Sequence, residues 1–394
     1  MLPVFVLCLV FIVRAHSQQC SPGYGLAEDV YTIILQHRHC IKSITYGGAG
    51  SNVNQGSVIS VVAGQEASAW KNDGIGTNAR FNGLNGMVLI PDTKIFIVSD
   101  TLNSKLRQVD FISKSVTTIL NEILVGSYPG NYNGIPPDAS IAYPYSLTYS
   151  RQLAALFVGA ESTIKRVTYP SIRVSSPAIE GYDPQNKFYN SMSFDGSFMI
   201  ITNPDQGIVQ RLDISSSNLY TIAGSWSSQT CADGVGTNAL FTKPTYSVIT
   251  KSGSDVYVAD PGVFTTIRKI NLSTLKVSCI MGVCPAISDG LWHSLDGLVL
   301  SPDETYLLFM DGTQNTLRRI DVTGGNLMTI NPSSGLGYSF SNINFMMLIP
   351  GQSSSCNSCE SGKYSLGDSS CTTCPIGFFC QNTSIATRCP SGKF

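Results

Sequence analysis

The sequence predicts an all-β chain: a six-bladed β-propeller closed by its own N-terminal strands, followed by a small disulfide-rich module. Three observations carry that expectation. One turn is written twice, as NDGIGTNARF at residues 72–81 and ADGVGTNALF at residues 232–241. Each copy precedes four short apolar runs separated by turn residues, the pattern of four short strands. Composition agrees, since 43% of the 394 residues are hydrophobic and only 13% charged, too apolar for disorder and too sparsely charged for a helix-rich chain.

In chain order, the first stretch is MLPVFVLCLVFIVRAHSQQC, apolar over residues 2–13, with small residues Ala15 and Ser17 three and one positions before a cleavage point. It reads as a secretory signal peptide over residues 1–17, because the run is too short to span a bilayer comfortably; a buried first strand is the alternative. Export sets how the 12 cysteines are read, since disulfides persist outside the cytosol. With Cys8 removed, an odd number remains, which predicts an unpaired thiol or a bond to another chain. Asn271 and Asn382 each head a glycosylation sequon. With 25 basic and 26 acidic residues and no basic run, the chain lacks what a nucleic-acid partner requires.

The blades follow. The third run of each repeat reads KLRQVD, TIKRVT, IVQRLD, TIRKIN and TLRRID, and its apolar position recurs at Leu106, Ile164, Val209, Ile267 and Leu317, at steps of 58, 45, 58 and 50 residues. A period near fifty with four strands per unit is the arithmetic of a propeller, in which each blade is a four-stranded sheet. Helical patterns of ten or more residues are absent, so helical solenoids fail. FSNINFMMLIPG at residues 340–351 mimics FNGLNGMVLIPD at residues 81–92 and supplies an inner strand, while EDVYTIILQHRHCIKSITY and GSVISVVAG near the N-terminus supply three more. Pairing the two ends satisfies their exposed edges and closes the ring as a sixth blade. These repeats resemble those of NHL-repeat propellers over roughly residues 30–350, and the resemblance implies that fold over residues 18–352.

Repeated polar residues are read as architecture. Asp100 with Arg107, Asp260 with Arg268 and Asp311 with Arg318 sit at matching places on second and third strands, close enough for charge-assisted bonds. In the twin turns, Gly74, Gly76, Gly234 and Gly236 supply positive φ and a tight approach, while Asp73 and Asp233 cap local amides. A lone carboxylate is a poor calcium site. No cofactor is expected. The resemblance does admit a metal-dependent lyase or hydrolase that uses the axial channel. Its zinc ligands would have to be His37, His39 and His293, and its inner-strand metal ligands Asp296 and Asn344.

From residue 353 to residue 394 the composition shifts. Cys356, Cys359, Cys371, Cys374, Cys380 and Cys389, with the phrase CPxG(F/K)F, resemble ephrin-receptor-like or growth-factor-receptor-like cysteine-rich modules; a zinc ribbon is the alternative. About forty residues need such bridges to hold a fold. Modules of this kind come in arrays, so a longer protein is expected. Among the scattered cysteines, Cys20 with Cys40 would staple the N-terminal arm, and Cys284 has two candidate partners, Cys231 across the rim and Cys279 nearby.

The functional expectation is an extracellular binding module without catalysis. It is secreted or the outer part of a membrane protein, recognises a protein or glycan, and reaches a membrane only through a region outside this chain. Trp70, Trp226 and Trp292, each just before an inner strand, are the candidate interaction surface; the alternative is that they pack beneath their own loops.

Overall fold

The computed structural model describes residues 24–26, 30–37, 39–47, 59–66, 68–122, 124–125, 128–160, 163–177, 189–192, 196–225, 230–262, 265–282, 284, 295–312, 316–325, 327–330 and 343–350. In the tail it describes 356–358, 363–364, 372–373, 378–379 and 387–388. The leader, Cys20, Trp226, Trp292, His293 and Asn382 lie outside the described residues, as do the side chains of His37, Asn344 and all six tail cysteines.

Five antiparallel blades follow one another. Blade one comprises Leu84–Leu89, Ile95–Asp100, Lys105–Asp110 and Ser115–Leu120, with Gly74–Ile75 added along its outer edge. Blade two is Ser146–Ser150, Ala155–Ala160, Thr163–Thr168 and Arg173–Ser175, and blade three Tyr189–Met192, Phe198–Asn203, Ile208–Asp213 and Asn218–Gly224. Blade four, Ser247–Ile249, Asp255–Pro261, Thr265–Asn271 and Lys276–Met281, carries Gly234–Val235 outside it as blade one carries Gly74–Ile75. Blade five is Leu295–Leu300, Tyr306–Asp311, Thr316–Asp321 and Met328–Ile330. The first strand of each blade lies beside the first strand of the next, so the series is a propeller-like ring.

Burial explains why the second strands read as near-continuous apolar runs. A blade is covered on both faces by its neighbours, so IFIVSD, ALFVGA and FMIITN hide both sides of the pleat. Farther from the axis the blades splay, and the outer strand of blade one is buried only at Val116 and Leu120. The hairpins between first and second strands turn on left-handed Asp92, Ala154 and Glu304, and those between third and outer strands on Lys114, Ser217 and Leu275. Only a few per cent of non-glycine residues adopt that conformation, so its recurrence marks repeated geometry rather than local accident.

Strands that precede blade one pair with the strand that follows blade five in one further sheet, ordered Ile343–Pro350, Val30–His37, Cys40–Gly47, Ile59–Gly64. Ile34 stands opposite Met347. Ile343–Pro350 lies beside Leu295–Leu300 of blade five on one side and Leu84–Leu89 of blade one on the other. In the tail, Cys356–Ser358 pairs with Tyr24–Leu26, and Phe378–Phe379 with Thr387–Arg388.

Candidate functional site

The twin turns are held by buried arginines. Arg107, fully buried on the third strand of blade one, donates from Nη1 to Asp100 Oδ2 at 2.7 Å and to the Arg80 carbonyl at 3.1 Å. Its Nη2 donates to the Asn72 carbonyl at 2.8 Å and to Asp73 Oδ1 at 2.7 Å. The guanidinium lies 5.1 Å from the centre of the Phe81 ring. One side chain thus ties the connection on both sides of its turn to the blade. Arg268 repeats the arrangement with the Ala232 and Leu240 carbonyls, Asp233 Oδ1 at 2.7 Å and the Phe241 ring at 5.0 Å.

Geometry corrects three expectations. Asp260 and Arg268 make no direct bond: Asp260 accepts from the Thr242 amide and hydroxyl and from the Lys243 amide, while Arg268 Nη1 turns to Cys231 Sγ at 3.5 Å. In blade one Asn82 has no hydroxyl to offer, so Asp100 keeps the arginine. Asp311 does pair with Arg318, at 3.1 Å. Second, Asp73 caps no local amide; it reaches the Thr118 amide at 3.0 Å and Thr118 Oγ1 at 2.9 Å on the outer strand. Asp233 likewise accepts from the Cys279 amide at 3.3 Å. Third, positive φ occurs at Gly76 (55°) and Gly236 (58°), not at Gly74 or Gly234. At the latter two a Cβ would meet backbone atoms at 3.1 and 2.9 Å, so glycine is needed there for close approach.

Charges follow burial. Burial pushes the Asp100 carboxyl up, and the bonds from Asn103, the Asn82 amide and Arg107 only partly oppose it. Burial acts the same way on Asp73, but there the Thr118 and Arg107 bonds win and the carboxyl titrates below its usual range.

Blade two carries the same device in altered letters. Lys165, opposite Val158 as Arg107 is opposite Val98, donates to Asn133 Oδ1 at 3.0 Å. Asn133-Gly134-Ile135 therefore stands where Asp73-Gly74-Ile75 stands in blade one. Sequence reading missed both residues, although a basic residue at the centre of TIKRVT was the available signal. In the sheet that joins the chain ends, Lys42 is opposite Leu35 at the equivalent register and bridges to Glu66 at 3.1 Å.

The end of the ring next to blade one gathers several loops. Gly83 donates its amide to His39 Nδ1 at 3.3 Å, Leu102 to the Asn82 carbonyl at 3.1 Å, and Asn103 Nδ2 to the Trp70 carbonyl at 2.8 Å. Tyr143, on the connection into blade two, donates its amide to Ser104 Oγ at 3.1 Å. Trp70 stays 62% exposed, Leu102 49% and Tyr128 74%. His39 falls in a turn rather than on a strand face shared with His37, and its Nδ1 is an acceptor for Gly83. Asp296 is half-buried on the first strand of blade five. Among the described residues no group of three metal-ligating side chains gathers.

Asn271 forms a local turn, accepting at Oδ1 from Ser273 Oγ and the Thr274 amide, while its Nδ2 donates to Asp255 at 3.0 Å. Cys231 is bonded to Cys284, and Cys279 stands beside them with its Sγ 3.8 Å from Cys284 Sγ.

No family model matches the sequence, and no curated protein matches it significantly. Solved structures do match. A chain from a nidogen/laminin complex aligns over 81% of this chain and 98% of its own, at 9% identity and a TM-score of 0.56. TolB from Acinetobacter baumannii aligns over 81% of this chain and 66% of its own, at 11% identity and a TM-score of 0.51. At such identities the likeness is one of fold, an all-β ring of propeller blades.

Proposed function

We propose that this chain is a six-bladed propeller that serves as a rigid platform for binding an extracellular protein, with a cysteine-rich module as its stalk. The observation that carries the reading is the exposure of Trp70 and Leu102 on loops pinned to one another, with Tyr128 exposed on the connection that leads from blade one into blade two. Large apolar side chains on a fixed frame favour association because little loop entropy remains to be lost on binding. The nidogen/laminin complex supports it by analogy, as a protein complex containing a chain of the same fold. Support for the sixth blade comes from register. Lys42, Arg107, Lys165 and Arg318 each oppose the residue two places before the end of the second strand or its equivalent, and Arg268 the residue two places before Asp260, a register that the terminal sheet shares with the blades. The leader-like apolar run at residues 2–13 and the two glycosylation sequons support an extracellular setting.

The test is binding of the whole chain to purified matrix proteins, laminin among them, and to a glycan array. Wild type should bind a protein of the panel, and the triple variant Trp70→Ser, Leu102→Ser, Tyr128→Ser should lose at least about tenfold in affinity, the effect of a single modest hot spot. Unchanged binding by a triple variant with an unchanged melting temperature would refute this surface.

A further inference from the structure

Three cysteines converge on blade four from three different segments. Cys231 lies in the connection that leads into the blade, Cys279 on its outer strand, and Cys284 in the connection that leaves it. Cys231 and Cys284 share a disulfide that joins the two connections across 53 residues. Cys279 is a thiol, half-buried, with its Sγ 3.1 Å from the Met281 carbonyl and 3.8 Å from Cys284 Sγ. Blade one has none of this: Lys71 and Thr118 occupy the places of Cys231 and Cys279.

The geometry points to a thiol–disulfide exchange site in which Cys284 is the pivot and its bond moves between Cys231 and Cys279. The step balances within the chain. Cys279 gives up its proton, its thiolate attacks Cys284 Sγ, the Cys231–Cys284 bond breaks as the Cys279–Cys284 bond forms, and Cys231 leaves as a thiolate that takes up a proton. No oxidant or reductant is consumed. The leaving side is prepared: Arg268 Nη1 lies 3.5 Å from Cys231 Sγ, where its positive charge stabilises a departing thiolate, and a more stable leaving thiolate leaves faster. In the exchanged form the bridge joins residues only five apart, from the outer strand to the outgoing connection, and the connection into blade four is left to Arg268, its strand pairing and the Asp233 bond to the Cys279 amide. The device thus decides how tightly that connection is held to the next one.

The attacking side is held back. Burial pushes the Cys279 thiol up to about 11, Arg268 pulls against this, and Asp233 and Asp260 add to it. Because the thiolate is the nucleophile, exchange should be slow at neutral pH and accelerate about tenfold per pH unit toward that value.

The experiment incubates the full chain at pH 7 and pH 9, quenches with acid, labels free thiols with N-ethylmaleimide and locates the label by peptide mass spectrometry. Among Cys231, Cys279 and Cys284, the label at pH 7 should lie on Cys279, and at pH 9 it should divide between Cys279 and Cys231 about a hundred times faster. Cys279→Ser should abolish labelling of Cys231. Cys231→Ser should leave Cys279 and Cys284 unlabelled, because they pair with each other. Label confined to Cys279 at both pH values, equal labelling of Cys231 in the Cys279→Ser chain, or free thiols at both positions in the Cys231→Ser chain would each overturn the assignment.

Discussion

Blade one and blade four share a turn and an arginine yet spend that arginine differently. In blade one Arg107 spans two carboxylates, Asp100 on the second strand and Asp73 on the connection. In blade four Arg268 keeps Asp233 alone, because the Thr242 hydroxyl and the Lys243 amide satisfy Asp260 and a cysteine sulfur fills the vacated direction. The difference teaches which part of the device is constant. Two carbonyls and the carboxylate on the connection recur in both; the second-strand aspartate is satisfied by whatever donors the next loop offers.

The largest test of this contrast is Asp100→Ala. It removes the fully buried carboxylate of the pair, leaving Arg107 only half-exposed Asp73 and two carbonyls, and should cost about 3–5 kcal/mol in urea unfolding, the range for breaking one side of a buried pair. Asp260→Ala should cost less, about 1–3 kcal/mol, because it orphans the Thr242 and Lys243 amides but leaves Arg268 paired. Equal losses would mean that the two blades are wired alike after all. Next come Gly76→Ala and Gly236→Ala, which should each lower stability by about 1 kcal/mol, since both have φ near 55–58° with open space around them. A smaller effect of opposite sign belongs to Ala154→Gly, at φ 43° in an exposed hairpin, expected to stabilise by up to about 1 kcal/mol.

The smallest is a pH effect. The Asp73 carboxyl titrates below its unfolded value, so its contribution is present above the unfolded pKa of about 4 and is lost as pH falls through the lower folded value. Asp73→Asn should flatten the acid limb of the stability curve below about pH 4 and leave its slope above pH 6 unchanged. An unaltered acid limb would show that Thr118 and Arg107 do not favour the ionised form.

How much of this was legible in the sequence divides along a physical line. Strands whose both faces are buried announce themselves, as IFIVSD and DVYVADP do, because burial on both faces asks for apolar residues at successive positions rather than alternate ones. The repeated turn was legible because Gly76 and Gly236 answer a backbone need that few other residues meet. Partners were not. An arginine can satisfy a near carboxylate or a remote one at equal distance, and nothing in TIRKIN says that Arg268 passes over Asp260 for Asp233. Lys165 with Asn133 escaped because a hydrogen-bonded amide keeps the geometry of the Asp–Arg pair while changing both letters. Cys284 illustrates the same limit: spacing allowed Cys231 or Cys279, and the sulfurs of both lie within reach.

The central claim is that the chain's ends meet to complete the ring, and hydrogen exchange of the whole chain, read peptide by peptide, tests it most directly. The amides of Val30–His37 and Ile343–Pro350 should exchange as slowly as those of Ile95–Asp100, and deleting residues 343–350 should release Val30–His37. Fast exchange across both terminal segments, beside a protected blade one, would contradict the closure and the six-bladed platform built on it.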